Sequence, residues 1–343
     1  MNVDSQLLLA NPSSGICVEG VHKTFQAKGR DAVYALRGVS LSAAPGQVLG
    51  ILGSNGAGKT TLINILTTVS RPDSGDAWVE GYSVMTQAKQ VRQRLGVVSQ
   101  EDRFDTYLTL WENLSLHAEL HGLPKRQFQP RIEQLLKQVD LYDRRHSYVE
   151  LFSGGMRRKA SLIRALIHEP TILFLDEPTT GLDPVARRQV WEAVISLKQG
   201  RTLVLTTHYM EEADQLCDTL VLMNQGQVLT QGTPTQLKQK ISITKGGAPL
   251  WRVRLGMPVN LQWMEALTQK APQAQLEWLK PDELTIQGCS EQVLWEWVAQ
   301  LPLGSVMGVE KPLPTLDAVF FNWIERPPAI ESLMNPLSQG VIE

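Results

Sequence analysis

"GILGSNGAGKTT", Gly50 to Thr61, is the stretch that decides the fold. It runs from the apolar strand "QVLGIL" into a helical pattern, and Gly53, Gly58, Lys59 and Thr60 carry the spacing G-x-x-x-x-G-K-T. Glycines let the backbone curl so that successive N–H groups point at one anion. The loop Gly53, Ser54, Asn55, Gly56, Ala57 and Gly58 is therefore expected to cradle phosphate. Lys59 reaches the β and γ groups, the Thr60 hydroxyl takes Mg²⁺, and Thr61 completes the set.

Outward from this loop the chain alternates strand and helix. Short strands, "GICVEGVHKTF" and "VYALRGVSLS", precede it, and "DAWVEG" and "LGVVSQ" follow. From about Asp102 the pattern turns helical, as in "TLWENLSLHAELHG" and "RIEQLLKQVDLY", with Pro and Gly as breaks. Two more buried strands, "TILFLD" and "TLVLTTH", enclose the helix "VARRQVWEAVISLKQG". Such alternation implies an α/β domain with a mainly parallel sheet and ligands at the carboxyl ends of its strands.

Three of those strands end on polar side chains suited to one phosphate site. "TILFLDEP" runs straight into Asp176 and Glu177, an acidic pair that is costly at a buried strand end unless cations face it. Asp176 is expected to hold Mg²⁺, and Glu177 to polarise the water that attacks the γ-phosphate. "TLVLTTH" delivers His208, which could donate to the γ-phosphate, and "LGVVSQ" delivers Gln100. With the first loop, four strand ends converge on one ligand.

A second glycine-rich turn, "LFSGGMRRK" (Leu151–Lys159), opens another helix with Ser153, Gly154 and Gly155. Three cations, Arg157, Arg158 and Lys159, lie in its first turn, where the helix dipole favours negative charge. An anion is expected nearby.

Bulk properties narrow the alternatives. The 343 residues suggest about two domains, and 33 basic against 35 acidic residues give no overall field for nucleic acid or an anionic bilayer. Cys17, Cys217 and Cys289 lie too far apart for a zinc site or a disulfide framework. "MNVDSQLLLANPSSG" lacks the features of a signal peptide, and no apolar run reaches the roughly 18 residues of a membrane span. "HAELH" sets His117 and His121 four residues apart, but without Glu directly after the first His or a third ligand no zinc is expected.

Taken together, GSNGAGKT, Gln100, SGGM, LFLDEP, Thr180-Gly181-Leu182-Asp183 and His208 have the order and approximate spacing of an ABC transporter ATPase subunit. The resemblance covers roughly residues 16 to 235. It implies a P-loop ABC ATPase domain with an antiparallel β subdomain and a helical subdomain near 102–165. It also implies a homodimer that buries two ATP head to tail, with Ser153, Gly154 and Gly155 of one chain capping the γ-phosphate bound by the other. Asp183 would couple the two sites, Gln100 would join the Mg²⁺ shell, and Phe25 in "HKTF" would stack on adenine, with Tyr34 as the alternative. Glu177, His208 and Gln100 form the implied catalytic set.

The polar stretch "TQGTPTQLKQKISITKGGAP" marks a boundary, with the ATPase domain assigned to 15–236 after a flexible 1–14. Beyond it, over 245–325, elements read in the β-α-β-β-α-β order of a ferredoxin-like α+β unit with one added helix, followed by a flexible tail at 326–343. Six of the nine tryptophans fall in this part, expected as core or as a contact surface. Its "PTLDAVFFNWI" is similar to the closing segment of daunorubicin-resistance-type exporter ATPases, and "LTLWENL" fits the same branch. That branch implies a separate transmembrane permease and a peripheral place on the cytoplasmic face of the membrane. A soluble ABC ATPase acting on ribosomes or DNA is the alternative; such proteins usually carry a second cassette or a long coiled coil, which this sequence lacks.

Overall fold

The computed structural model describes residues 15–26, 32–101, 104–198, 200–244, 250–256 and 261–312, with 315, 316 and 320. Two compact units are present, Met1–Pro234 and Thr235–Glu343. The 1–14 and 326–343 segments and most of the helix expected at "TLDAVFFNWI" lie outside the described residues.

The first unit contains β1 (Ile16–Phe25), β2 (Val33–Ala43), β3 (Val48–Leu52), α1 (Lys59–Leu66), β4 (Ser74–Val79), β5 (Tyr82–Ser83), α2 (Ala88–Arg92) and β6 (Leu95–Val98). It continues through α3 (Leu110–Leu120), α4 (Lys125–Gln138), α5 (Gly154–Leu166), β7 (Ile172–Asp176), α6 (Pro184–Lys198), β8 (Thr202–Thr207), α7 (Met210–Leu216), β9 (Thr219–Asn224) and β10 (Gln227–Gly232). An antiparallel sheet in the order β2-β1-β4-β5 and a six-stranded sheet in the order β10-β9-β3-β8-β7-β6 form its frame. In the larger sheet every pair is parallel except β9 with β10. Strands β3, β7 and β8 are buried along their whole length, which is why they read as continuous apolar runs.

Apolar side chains from both sheets and from α1 share one core, including Val18, Leu36, Ile51, Leu62, Phe174 and Val221. Burial of these groups is what holds the phosphate-loop strand against its neighbours. The helical stretch holds α3, whose start is fixed by a capping box: Thr109 accepts from the Glu112 N–H while Glu112 accepts from the Thr109 N–H.

Two details depart from the sequence reading. Pro130 does not break a helix but is the sixth residue of α4, which begins at Lys125; it forgoes one backbone bond there, and the buried side chains of Phe128, Ile132, Leu135 and Leu136 hold the helix in spite of it. The hairpin β9–β10 carries no ready sequence signal, because its turn uses Gln225 and Gly226, at φ of 46° and 78°, rather than the usual Asn-Gly pair.

The second unit opens with α8 (Pro234–Thr244), so the polar boundary stretch contains a helix. Next come β11 (Leu250–Leu255), α9 (Leu261–Lys270), β12 (Gln275–Lys280), β13 (Glu283–Gln287), α10 (Glu291–Val298) and β14 (Val306–Glu310). The sheet order β12-β13-β11-β14, antiparallel throughout, is that of a ferredoxin-like unit. Trp251 and Trp297 are buried in its core, with Leu267, Leu284 and Leu294, whereas Trp278 and Trp295 are about half exposed.

Candidate functional site

Sheet order brings the four expected strand ends side by side. Leu52 of β3 pairs with Thr207 of β8, Thr206 with Asp176 of β7, and Leu175 with Val98 of β6. The next residues along each strand are Gly53, His208, Glu177 and the Ser99–Gln100 turn. Sequence spacing alone could not supply this adjacency.

Within the loop, Gly58 has φ of 102° and a Cβ there would sit 2.6 Å from the Ala35 carbonyl oxygen, so only glycine fits. Residues Ser54, Asn55, Gly56 and Thr60 are exposed, while Lys59 is only 5% exposed. Its ammonium donates to the carbonyls of Gly53 at 2.8 Å and Ser54 at 3.2 Å and lies 3.9 Å from Glu177 Oε1. Burial pulls the Lys59 pKa down, against the opposing pull of Glu177 and Asp176. Thr61 follows in the first turn of α1.

Asp176 is buried and accepts from the Thr206 hydroxyl. Burial raises its carboxyl above the usual range and neighbouring Glu177 raises it further, while the Thr206 bond, Lys59 and Arg158 act the other way. A buried carboxylate beside the Thr60 hydroxyl helix is a hard oxygen donor set of the kind Mg²⁺ takes, and a cation there would offset the desolvation.

Glu177 holds the centre. Its backbone is left-handed at φ of 47°, unusual for a residue with a side chain, and is held by its N–H donating to the carbonyl and hydroxyl oxygens of Thr206. The side chain, 14% exposed, accepts from the Thr180 hydroxyl at 3.0 Å and lies 3.5 Å from His208 Nδ1. His208 is 38% exposed and packs on Tyr209, over which the Arg187 guanidinium lies. A carboxylate so placed between an ammonium and an imidazole can take a proton from water at the open edge of the sheet.

The second glycine turn is built differently. Ser153 caps α5 by accepting from the Met156 N–H, and Asp183 caps α6 by accepting from the Val185 and Ala186 N–H groups, both at 2.9 Å. Side chains at Gly154 and Gly155 would meet Leu182 and Ala186 at 2.9 and 3.2 Å. The glycines thus let two helix N-termini pack side by side, with Ser153 and Asp183 exposed.

The three cations of that turn do not all face an anion. Arg158 is buried and donates to the carbonyls of Ser99 and Gln100, and Lys159 donates to the Val139 carbonyl. Arg157 is the exposed one. Arg158 therefore fixes the turn that carries Gln100, a role the sequence reading missed. Its spacing from Leu162 and Ala165, on the buried face of α5, was the available signal.

Phe25 and Tyr34 are both exposed, with Lys23 over the first ring and Arg37 over the second. The β2 segment next to Tyr34 borders the loop through Ala35 and Leu36.

A phosphate loop on β3, an acidic pair on β7 and a histidine on β8 define a nucleoside-triphosphate hydrolase of the P-loop class. The family described as ABC transporter matches residues 36–180. A daunorubicin resistance ATP-binding protein of Streptomyces coeruleorubidus is 46% identical over 226 residues, covering 66% of this chain and 70% of that protein. A doxorubicin resistance ATP-binding protein of Mycobacterium tuberculosis is 40% identical over 237 residues, covering 69% and 71%. A dimeric ATP-binding cassette solved with ADP and phosphate superposes with a TM-score of 0.57 at 24% identity, covering 64% of this chain and 98% of that one. The chain belongs to the ABC transporter ATP-binding family, as an ATPase subunit of the drug-resistance exporter type. Among the described residues no helix is long and apolar enough to cross a membrane.

Proposed function

We propose that two copies of this chain bind two Mg·ATP head to tail and drive a separate membrane permease from the cytoplasmic face. The adjacency of the four strand ends around Glu177 carries the reading. Glu177 acts as general base, its carboxylate held by Thr180 and facing Lys59 and His208. His208 orients the γ-phosphate, Gln100 lines the same edge, and Phe25 offers a face for adenine, with Tyr34 the other exposed ring. Mg²⁺, when bound by Thr60 and Asp176 with Gln100 in its shell, neutralises charge on the β and γ oxygens.

The dimer is supported by the second glycine turn. Two exposed helix N-termini, those of α5 and α6, lie together and carry Ser153, Gly154, Gly155 and Asp183. Such a surface attracts an anion, and the γ-phosphate held by another copy is the anion that fits. The cassette solved as a dimer shares this fold.

Glu177→Gln tests both parts. It should keep ATP binding, slow hydrolysis by roughly 10²- to 10⁴-fold as expected for loss of a general base, and accumulate as an ATP-bound dimer in gel filtration. A variant that stays monomeric with ATP and Mg²⁺ would refute the sandwich. Lys59→Ala should weaken nucleotide binding itself. Co-expression with neighbouring membrane-protein genes should yield a permease that co-purifies with the chain; failure with each would remove the separate-permease reading while leaving the ATPase.

A further inference from the structure

His117, in the last turn of α3, and His121, at its C-cap, have no third ligand near them in the sequence. The fold supplies one. His168, two residues beyond α5, brings its ring against both: its centroid is 4.1 Å from His121 and 6.2 Å from His117, and the first two rings are 4.6 Å apart. One ring nitrogen from each of the three lies within 4.8 Å of the others.

His168 has the second contact expected of a metal ligand. Its Nε2–H donates to the Leu95 carbonyl at 2.8 Å, at the start of β6. That bond fixes the tautomer, and it leaves Nδ1 as a buried lone pair without a hydrogen-bond partner. Backbone-anchored imidazoles with a free second nitrogen are how proteins orient histidine ligands. From this cluster we infer a divalent transition-metal site of three imidazoles, His117, His121 and His168, with a fourth position open to water or an anion.

Tetrahedral Zn–N bonds of about 2.0–2.1 Å place ligand nitrogens about 3.4 Å apart, so the nitrogens must close by up to about 1.4 Å. His121 is exposed and stacked on His168 at 12°, so its χ rotation provides part of the movement, and His117, whose ring lies 6.2 Å from that of His168, must turn toward it for the rest. Burial holds all three rings below the ordinary imidazole range, His117 at about 4, which leaves their lone pairs available near neutral pH. Arg164 acts on His117 and Arg131 on His168, both opposing a cation; Arg131 is itself paired with Glu169. These charges favour a site of moderate affinity with a bound anion over a permanent structural zinc. An ion there would tie the end of α3 to the end of α5 and, through His168, to the strand whose other end leads to Gln100.

Tag-free full-length protein, stripped with chelator, should bind Zn²⁺ at one ion per chain more than His121→Ala or His168→Ala, by calorimetry. Co²⁺ in place of Zn²⁺ should give the intense visible bands of tetrahedral coordination, absent from both variants, and Zn²⁺ should raise the melting temperature of the unsubstituted chain only. Loss of one ligand should weaken binding by about 100-fold or more, at least matching second-shell effects. If His168→Ala does not fold, exposed His121→Ala retains every readout. No saturable binding, or equal stoichiometry and affinity with and without His121, would overturn the site.

Discussion

Glu212 and Glu177 are both acidic residues that meet Thr206–Thr207 chemistry, yet only one faces the open edge. Glu212, on α7, is fully buried, and its Oε1 accepts from the Thr179 hydroxyl at 2.8 Å and the Trp191 indole at 2.9 Å. Burial raises its carboxyl above the ordinary range, against the Thr207, Thr179 and Trp191 bonds and the Arg187 charge. A folded-state pKa above the unfolded one means the native state holds its proton longer. Stability from this group is then complete below the unfolded value and is lost as pH rises toward the folded one, by at most about 1.4 kcal/mol per pH unit. Glu212→Gln keeps an oxygen acceptor and removes the titration. Its urea midpoint should lack that decline, so the difference between the two proteins should shift in the variant's favour as pH rises from about 4 upward. Parallel midpoint-against-pH curves would show that Glu212 carries no such penalty. Nothing local marks Glu212 in the sequence, because only the fold brings Thr179, Trp191 and Thr207 around it; Asp176 and Glu177 are legible because a buried apolar strand runs directly into them.

Between α5 and β6 the contact is close enough to be set by one missing methyl. A Cβ at Gly96 would lie 2.3 Å from the Ala165 carbonyl oxygen and 3.0 Å from Leu173 and Pro170 side chains. The same helix sends Arg158 to the Ser99 and Gln100 carbonyls, just past the end of β6. Gly96→Ala should therefore push α5 from the strand, costing about 1–3 kcal/mol as an overpacked core site. Denaturant unfolding reads the cost, and a steady-state ATPase assay should show a lower rate through the displaced Gln100 turn; unchanged stability would mean that the helix moves aside freely. Elements of this kind were largely legible. The loop–helix β3–α1 and the strands β7 and β8 each announce themselves by local pattern. Pro130 inside α4 does not, because packing of the helix's apolar face overrides the local preference, and neither does the Gln225–Gly226 turn, which lacks the usual Asn-Gly signal.

Each of the two units closes a core from its own residues. The core around Ile51 and Phe174 draws on positions from Ile16 to Val228, and the other on positions from Trp251 to Val309. The alternation of strands and helices made the α/β class legible, while the exposure of Trp278 and Trp295 and the antiparallel register of β11 with β14 came only with the fold. Separate cores predict separable unfolding, and the tryptophans make it measurable. Trp78, Trp111 and Trp191 lie in the first unit, and Trp251, Trp263, Trp278, Trp295, Trp297 and Trp323 in the second. Indole fluorescence thus weighs the second unit, and helical circular dichroism weighs the first, which holds α1 to α7. The proposed ATP site lies in the first, so at about 100 times its Kd ATP should stabilise that transition by about 2.7 kcal/mol and leave the fluorescence transition in place. A chain ending near Gln236 should show the same ATP-dependent shift as the full chain, since none of the first core is removed. Should ATP move both transitions together, or should the shortened chain lose its shift, the second unit contributes to the folded ATPase domain itself, and its removal would then be expected to lower ATP affinity as well as any dimer it helps to hold.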